Sequence, residues 1–193
     1  MAVILPLPED DGMTQTGDDT AAPLQVGHPE TWGDEQSKTV TWHDPKATAM
    51  VGLQLSGLQY LTAIGNGDLP TAPIANLHGI TGLDVSDGEI FFEMTPDESA
   101  YNPLGFVHGG AICTLLDTAT GCAVHSTLPA GVGYTSIEIK VNYMRGVHAG
   151  VPLRARGWVT KRGRRISFAE AEITDPDGKV VATASSSLLI IGG

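Results

Sequence analysis

The chain has 193 residues and a net charge of −11 at neutral pH. That acidity argues against a partner bound through neutralised phosphates, so neither nucleic acid nor an anionic membrane surface is expected. Residues 1–46 hold nine acidic and two basic side chains. The composition therefore predicts an acidic N-terminal segment, 1–43, followed by one folded domain, 44–193, since the apolar share of 41% is enough for a core.

The N-terminal segment is typical of a flexible tail, although Trp32 and Trp42 favour docking on the domain or on a second subunit. Its first apolar run is short, contains prolines and lacks a preceding positive charge, which is atypical of a secretory signal. No apolar run approaches the roughly 20 residues of a membrane span. Cys113 and Cys122 would lie about 13 Å apart on one helix, too far for a disulfide. Reduced thiols predict a cytoplasmic protein.

The first half of the domain predicts a helix and a strand pair. Asp44 and Pro45 are typical of an N-cap and a first helical residue, and apolar residues at helical spacing extend one amphipathic helix to Ile64. Pro70 and Pro73 indicate a loop. Two strands are then expected at 76–85 and 89–95, joined by a turn at Ser86-Asp87-Gly88.

The second half predicts a long helix and four strands. The polar loop 96–108 precedes a helix from about Gly109 to Leu128. Strands are expected at 134–145, 151–161, 165–174 and 179–191. In the first of them, strict alternation places Ile137, Ile139, Val141 and Tyr143 on one face. Runs of antiparallel strands with segregated helices indicate an α+β fold, with the sheet curled around the long helix.

The long helix carries a single carboxylate in a mostly apolar stretch. Burying Asp117 without a partner would be costly, so a partner, a helix cap or catalysis is expected to hold it there. Gly109 and Gly110 open the same helix, where free N–H groups and the helix dipole suit a carbonyl oxygen that gains negative charge.

Asp117 and Gly109 cannot serve one carbonyl from the same chain, because eight residues of helix separate them by about 12 Å. Two antiparallel helices from two subunits would bring each carboxylate to the other helix's N-terminus. The spacing therefore predicts a homodimer with two composite sites.

The segment from Asn102 to Gly110, NPLGFVHGG, with Asp117 eight residues after Gly109, resembles the hotdog-fold thioesterases of the phenylacetate-pathway (PaaI-like) type. These are relatives of 4-hydroxybenzoyl-CoA thioesterase. The strand from Tyr134 to Arg145 is similar as well, and the resemblance spans about residues 47–191. It implies a hotdog fold, an antiparallel sheet curled around a central helix, and hydrolysis of an acyl- or aryl-CoA thioester.

The resemblance also implies roles for the matching residues. The Gly109 amide is expected to polarise the thioester carbonyl, with Gly110 beside it at the substrate. Asp117, from the facing subunit, is expected to act as nucleophile or general base. Asn102 and His108 would position the thioester and the attacking water. Simpler alternatives are a structural carboxylate at Asp117, a turn at Asn102 and a helix cap at His108.

The remaining candidate residues match the family motif less closely. Ser136 would orient the attacking water, and Thr135 is the alternative at that place. Gly121 stands where 4-hydroxybenzoyl-specific relatives carry a hydroxyl side chain, which argues against that substrate. His125, near the helix end, is expected to interact with the helix dipole rather than with substrate.

Basic residues cluster at one predicted turn. Lys161, Arg162, Arg164 and Arg165 are either a solvated hairpin tip or a contact for coenzyme A phosphates, and Arg145 is a second candidate for that contact. No pair of histidines has a metal-ligand spacing, so no metal is expected, and no cofactor is implied.

Two other functions fit parts of the pattern. One is a hotdog dehydratase or hydratase acting on a hydroxyacyl thioester, and the other is a non-catalytic acyl-CoA-binding module. The motif as a whole favours the thioesterase. The resemblance further implies that dimers pair into a homotetramer.

Overall fold

The computed structural model describes residues 27, 30 and 32–192. Most of the predicted acidic segment, 1–43, lies outside the described residues. The chain divides into two compact units, and the larger one begins at Val40. In the described part of the smaller unit, the Trp32 indole N–H donates a hydrogen bond of 3.3 Å to the Gly27 carbonyl. The helices and strands below all belong to the larger unit.

Two helices stand where the sequence analysis predicts one, α1 at Pro45–Gly52 and α2 at Gly57–Gly65. The chain starts a new helix at Ser56 because this residue forms a capping box with Gln59. Ser56 Oγ accepts from the Gln59 N–H at 3.3 Å, and Gln59 Oε1 accepts from the Ser56 N–H at 3.0 Å. The prediction of one continuous helix is therefore wrong.

A short helix, α3 at Pro73–His78, occupies the predicted loop and the start of the predicted first strand. Proline suits the first helical turn because its φ is already helical and its missing N–H is not needed there. Gly79 then ends α3 in the left-handed conformation, with φ of 66°. Strand β1 consequently spans Ile80–Ser86 rather than starting at residue 76, and β2 spans Glu89–Met94.

The remaining elements follow the predicted order. The long helix, α4, spans Gly109–His125 and ends three residues before the predicted Leu128. Four strands follow it: β3 (Gly133–Tyr143), β4 (Leu153–Lys161), β5 (Ile166–Thr174) and β6 (Val180–Ile191). The loop before α4 contains one turn of 3₁₀ helix at Glu98–Ala100.

The six strands form one antiparallel sheet in the order β1-β2-β4-β5-β6-β3. Helix α4 packs on five of them, β2 to β6, and its Leu115, Leu116 and Ala119 have no exposed surface. A Cβ on Gly157 of β4 would lie 2.3 Å from the Ala119 carbonyl oxygen, so only glycine permits this approach. The predicted α+β fold, with the sheet around one central helix, is confirmed.

Strand β3 departs from strict alternation at Ile137. The pairing of β3 with β6 shifts between Ser136 and Glu138, so Ile137 is the extra residue of a β-bulge. Ile137 is 52% exposed, whereas Ile139 packs against the core. The predicted common face for these two isoleucines is wrong, because the bulge shifts the alternation by one residue and turns Ser136 toward α4.

Candidate active site

The carboxylate of Asp117 is half-buried and is held by one side chain from the sheet. Ser136 Oγ donates a hydrogen bond of 2.8 Å to Asp117 Oδ1. Within the described residues, Asp117 Oδ2 accepts no hydrogen bond, so one oxygen is left for a water or a substrate. Thr135, the alternative to Ser136, is exposed and pairs with Leu189 on the other face of β3. The structure thus brings Ser136, and not Thr135, to Asp117.

The N-terminus of α4 leaves one particular amide open. His108 is the N-cap, and its Nδ1 accepts from the Gly110 N–H at 2.8 Å. The His108 carbonyl accepts from the N–H groups of Ala111 and Ile112, at 3.0 and 3.4 Å. The Gly109 N–H donates no hydrogen bond within the part of the chain that the structure describes. Of the first-turn amides, Gly109 alone remains available to an oxyanion, whereas Gly110 is engaged.

Tyr143, at the end of β3, binds the next peptide, between Gly109 and Gly110. Its hydroxyl donates to the Gly109 carbonyl at 2.9 Å. Burial raises the pKa of Tyr143, with a further rise from Cys113, so the phenol remains a donor at neutral pH. A Cβ on Gly109 would lie 3.2 Å from the ring of Tyr143. The sequence pattern predicts only a strand face for Tyr143, so this contact with Gly109 was not predicted.

Asn102 organises the loop that leads into α4. Its Oδ1 accepts from the N–H groups of Leu104 and Phe106, at 2.9 and 3.2 Å, and its own N–H donates to the Phe106 carbonyl at 2.8 Å. The His108 N–H is bound to the Ala100 carbonyl at 2.7 Å. The loop is therefore closed on itself, and the Asn102 amide NH₂ is the part of that side chain left for other partners.

One helical turn beyond Asp117, Tyr134 of β3 packs directly on α4. A Cβ on Gly121 would lie 2.6 Å from the Tyr134 hydroxyl, so glycine is required for this contact. The Tyr134 hydroxyl and the Cys122 thiol also lie close enough for each to affect the pKa of the other. The Tyr134 hydroxyl thus occupies the space beside α4 that a side chain at position 121 would take.

The Tyr134 contact lies in a neutral, buried environment. Burial raises the pKa of Cys122 to about 12 and also raises that of Tyr134. The ring centroid of His125 lies 5.5 Å from that of Tyr134 and 5.6 Å from that of Tyr60. Burial lowers the pKa of His125, so this imidazole is neutral at pH 7. It does not supply the positive charge that an interaction with the helix dipole would use.

The basic candidates lie at opposite ends of α4. Arg145 follows Tyr143, which contacts the start of the helix. Arg162 lies near the other end, where its guanidinium pairs with Asp87 at 2.9 Å. Arg164 and Arg165 are exposed and form no ion pair within the described residues. One subunit therefore does not bring Arg145 together with Arg164 and Arg165.

No three His, Cys, Asp or Glu side chains among the described residues are grouped as metal ligands. None of the helices in that part of the chain is long and apolar enough to cross a bilayer.

Comparison with known proteins gives consistent matches to thioesterases. The family model of the thioesterase superfamily matches residues 104–182. Human acyl-coenzyme A thioesterase 13 is 28% identical over 104 residues, which cover 53% of this chain and 74% of that protein. A relative from Halobacterium salinarum is 35% identical over 103 residues, which cover 51% of this chain and 67% of that protein.

Solved structures agree with this result. The PaaI protein from the phenylacetic acid degradation operon of E. coli superposes with a TM-score of 0.62 at 25% identity, covering 72% of this chain and 97% of that one. A Streptococcus mutans protein bound to acetyl CoA superposes with a TM-score of 0.53 at 26% identity, covering 57% of this chain and 89% of that one.

Proposed function

The chain belongs to the thioesterase superfamily and is a hotdog-fold thioester hydrolase. On that premise, we propose that it hydrolyses an acyl- or aryl-CoA thioester to the free acid and coenzyme A. The observation that carries the proposal is the pair of half-sites on α4. The helix start keeps the Gly109 N–H open, and Asp117 keeps one carboxylate oxygen open. The acyl-CoA thioesterase among the relatives and the neighbour bound to acetyl CoA support coenzyme A as the leaving group.

The chemistry requires few groups because a thioester is already activated. The Gly109 N–H stabilises the negative charge that develops on the carbonyl oxygen. Asp117 acts in one of two ways. As a general base it takes a proton from the attacking water. As a nucleophile it forms a mixed anhydride that water then hydrolyses. Either route breaks the carbon–sulfur bond, releases the thiolate and leaves it to be protonated.

The site is composite in this proposal. On one chain, Gly109 and Asp117 are separated by about 12 Å of helix. Strand β3 is at the end of the sheet and pairs only with β6 within the described residues. A second copy that pairs through its own β3 would extend the sheet and set two α4 helices side by side. Each Asp117 would then face the other subunit's Gly109.

Other residues position the reacting groups. Ser136 fixes the orientation of Asp117, and His108 fixes the helix start while its Nε2 remains free within the described residues. The Asn102 amide NH₂ is available to a carbonyl oxygen. Arg145 would lie beside Gly109 of its own subunit. In the dimer, the same site would be approached by Arg164 and Arg165 of the partner subunit. The guanidinium groups of these residues suit the phosphates of coenzyme A.

The test is release of free thiol from a panel of acyl- and aryl-CoA thioesters. Asp117→Ala should lower kcat by at least about 100-fold, the usual loss for an acid–base group. Glu170→Ala removes an exposed carboxylate from β5 and should leave kcat unchanged. Full turnover by Asp117→Ala would refute the proposed role. Crotonyl-CoA separates the dehydratase or hydratase alternative, which consumes the double bond without releasing thiol.

A further inference from the structure

One peptide group at the start of α4 is bound at both of its ends. The carbonyl of Gly109 accepts a hydrogen bond of 2.9 Å from the Tyr143 hydroxyl, and the N–H of Gly110 donates one of 2.8 Å to His108 Nδ1. The peptide between Gly109 and Gly110 therefore links strand β3 to the residue that caps the helix. No step of the hydrolysis described above uses this link.

Two glycines open α4, and they make its first turn inherently loose. Glycine lacks a Cβ, so its backbone can adopt more conformations than that of other residues. The Gly109 N–H belongs to the peptide that begins with the His108 carbonyl, and that carbonyl is bound by the N–H groups of Ala111 and Ile112 in the same turn. The direction of the N–H therefore follows the turn as a whole. The bond to Tyr143 restrains this turn from outside the helix.

Tyr143 is itself held firmly by the sheet. The N–H groups of Met144 and Arg145, which follow it, both donate to the Val181 carbonyl, at 2.9 and 3.2 Å. The ring lies against the helix start, since a Cβ on Gly109 would be 3.2 Å from it. A hydroxyl on an anchored ring is a fixed point, and such support from a neighbouring element keeps a reacting group in place.

We propose that Tyr143 is a positioning residue for the hydrolysis. By binding the Gly109 carbonyl, its hydroxyl fixes the first turn of α4 and so directs the Gly109 N–H at the thioester carbonyl. The bond from Gly110 to His108 anchors the other end of the same peptide. The proposal rests on the proposed function, because Tyr143 acts through Gly109 and not on the substrate itself.

A positioning role of this kind has a defined kinetic signature. The Gly109 N–H is needed most when negative charge develops on the carbonyl oxygen, so its misalignment destabilises the transition state more than the bound substrate. Loss of the Tyr143 hydroxyl should therefore lower kcat and leave KM nearly unchanged. A displacement of about 1 Å can cost about 100-fold in rate. A turn that keeps its other hydrogen bonds should lose less.

The experiment removes the hydroxyl and keeps the ring. In Tyr143→Phe, kcat for thiol release from the best substrate should fall by about tenfold, with KM within about twofold of wild type. Tyr101→Phe is the matched control, since the Tyr101 hydroxyl also binds the main chain, accepting from the Ala149 N–H at 2.9 Å. It should keep the wild-type kcat. An unchanged kcat in Tyr143→Phe, or an equal loss in Tyr101→Phe, would overturn the proposal.

A double variant tests whether the hydroxyl acts through Gly109. Gly109→Pro deletes the N–H donor at the first helical position, where proline is tolerated. If Tyr143 serves to direct that donor, adding Tyr143→Phe to Gly109→Pro should lower kcat by less than about twofold. A loss as large as the one that Tyr143→Phe causes in wild type would mean that the two residues act independently, and it would overturn the proposal.

If wild type releases no thiol from any thioester, the proposed function fails, and amide exchange decides whether Tyr143 positions the helix start. Hydrogen exchange of the Gly110 N–H, followed by NMR, should be about threefold to tenfold faster in Tyr143→Phe than in wild type, the effect of one ordinary hydrogen bond. Tyr101→Phe should leave that rate unchanged. Equal exchange in wild type and Tyr143→Phe would overturn the positioning role.

Discussion

Among the described residues, Gly109 differs from its neighbours in the first turn of α4 because its N–H has no hydrogen-bond partner. His108 engages the amides of Gly110, Ala111 and Ile112 through its side chain and its carbonyl. Tyr143 binds the Gly109 carbonyl. The peptides on both sides of Gly109 are therefore held through their carbonyl groups, and the Gly109 N–H is the open donor that stabilisation of an oxyanion requires.

A substitution at Gly109 can remove its N–H donor without disrupting α4. Gly109→Pro deletes the N–H, and proline is well tolerated as the first residue of a helix. His108, at φ −61° and ψ 137°, already has the extended conformation that precedes proline. Gly109→Ala introduces the same Cβ near Tyr143 but keeps the N–H.

We expect Gly109→Pro to lower kcat by about 100-fold or more, the loss typical of one oxyanion donor, while Gly109→Ala retains most of its activity. Thiol release and circular dichroism of both variants provide the measurement. Equal activity in the two variants would show that the Gly109 N–H has no role.

His125 should make the free energy of unfolding decrease toward acidic pH. Its pKa is lowered by burial from its ordinary value of 6.5, so the unfolded chain binds a proton more readily than the folded one. The free energy of unfolding should therefore be steady above pH 6.5 and fall as the pH decreases below it. His125→Phe keeps an aromatic ring between Tyr60 and Tyr134 and should flatten this slope.

Denaturant unfolding of wild type and His125→Phe, from about pH 5.5 to about pH 7.5, measures the difference in slope. His43→Gln, at an exposed position, serves as the control and should keep the wild-type slope. Parallel profiles for wild type and His125→Phe would contradict the assignment.

At the residue scale, the sequence contained the motif but not the contacts that complete it. Asn102, His108, Gly109 and Asp117 could be proposed from spacing and resemblance. Tyr143 and Tyr134 could not be placed against α4, because their orientation depends on where β3 meets the helix. The β-bulge at Ile137 breaks the period of two on which such a prediction relies.

At the scale of elements, β4 can approach α4 closely because residue 157 is a glycine and has no side chain. The path of the strand brings Gly157 against the Ala119 carbonyl. Gly157→Ala should lower the free energy of unfolding by about 1–3 kcal/mol, as overpacking does, because backbone rather than a flexible side chain must move. Thermal or urea unfolding gives the value.

Gly133→Ala is the matched control for Gly157→Ala. Gly133 also lies in a strand, β3, but its nearest contact for an added Cβ is 4.0 Å away, at the Ile191 carbonyl oxygen. It should change the free energy of unfolding little. Equal stabilities for the two variants would mean that the close approach of β4 and α4 is not a constraint.

The errors in element boundaries have separate causes. Ser56 and Gln59 show the spacing of a capping box in the sequence, so the break between α1 and α2 could have been predicted. Pro73 predicts a loop when proline is treated only as a breaker, but proline equally opens a helix. Strand order was not readable, because β3 pairs with β6 at the far end of the chain.

At the scale of the whole molecule, the position of β3 at the edge of the described sheet and the length of α4 both support the proposed dimer. The exposed Arg164 and Arg165 lie at the end of α4 opposite Gly109, so in the proposed dimer they would approach the active site of the other subunit. Dimerisation is therefore part of the proposed mechanism rather than an addition to it.

The most direct test is complementation within a dimer. Subunits carrying Asp117→Asn and subunits carrying Gly109→Pro are co-expressed with different affinity tags, and the mixed dimer is purified through both. If each site combines Asp117 of one subunit with Gly109 of the other, one of the two sites in the mixed dimer is intact. The mixed dimer should then release thiol at about half the wild-type rate, although both parent homodimers are inactive. A mixed dimer as inactive as its parents would contradict the composite site.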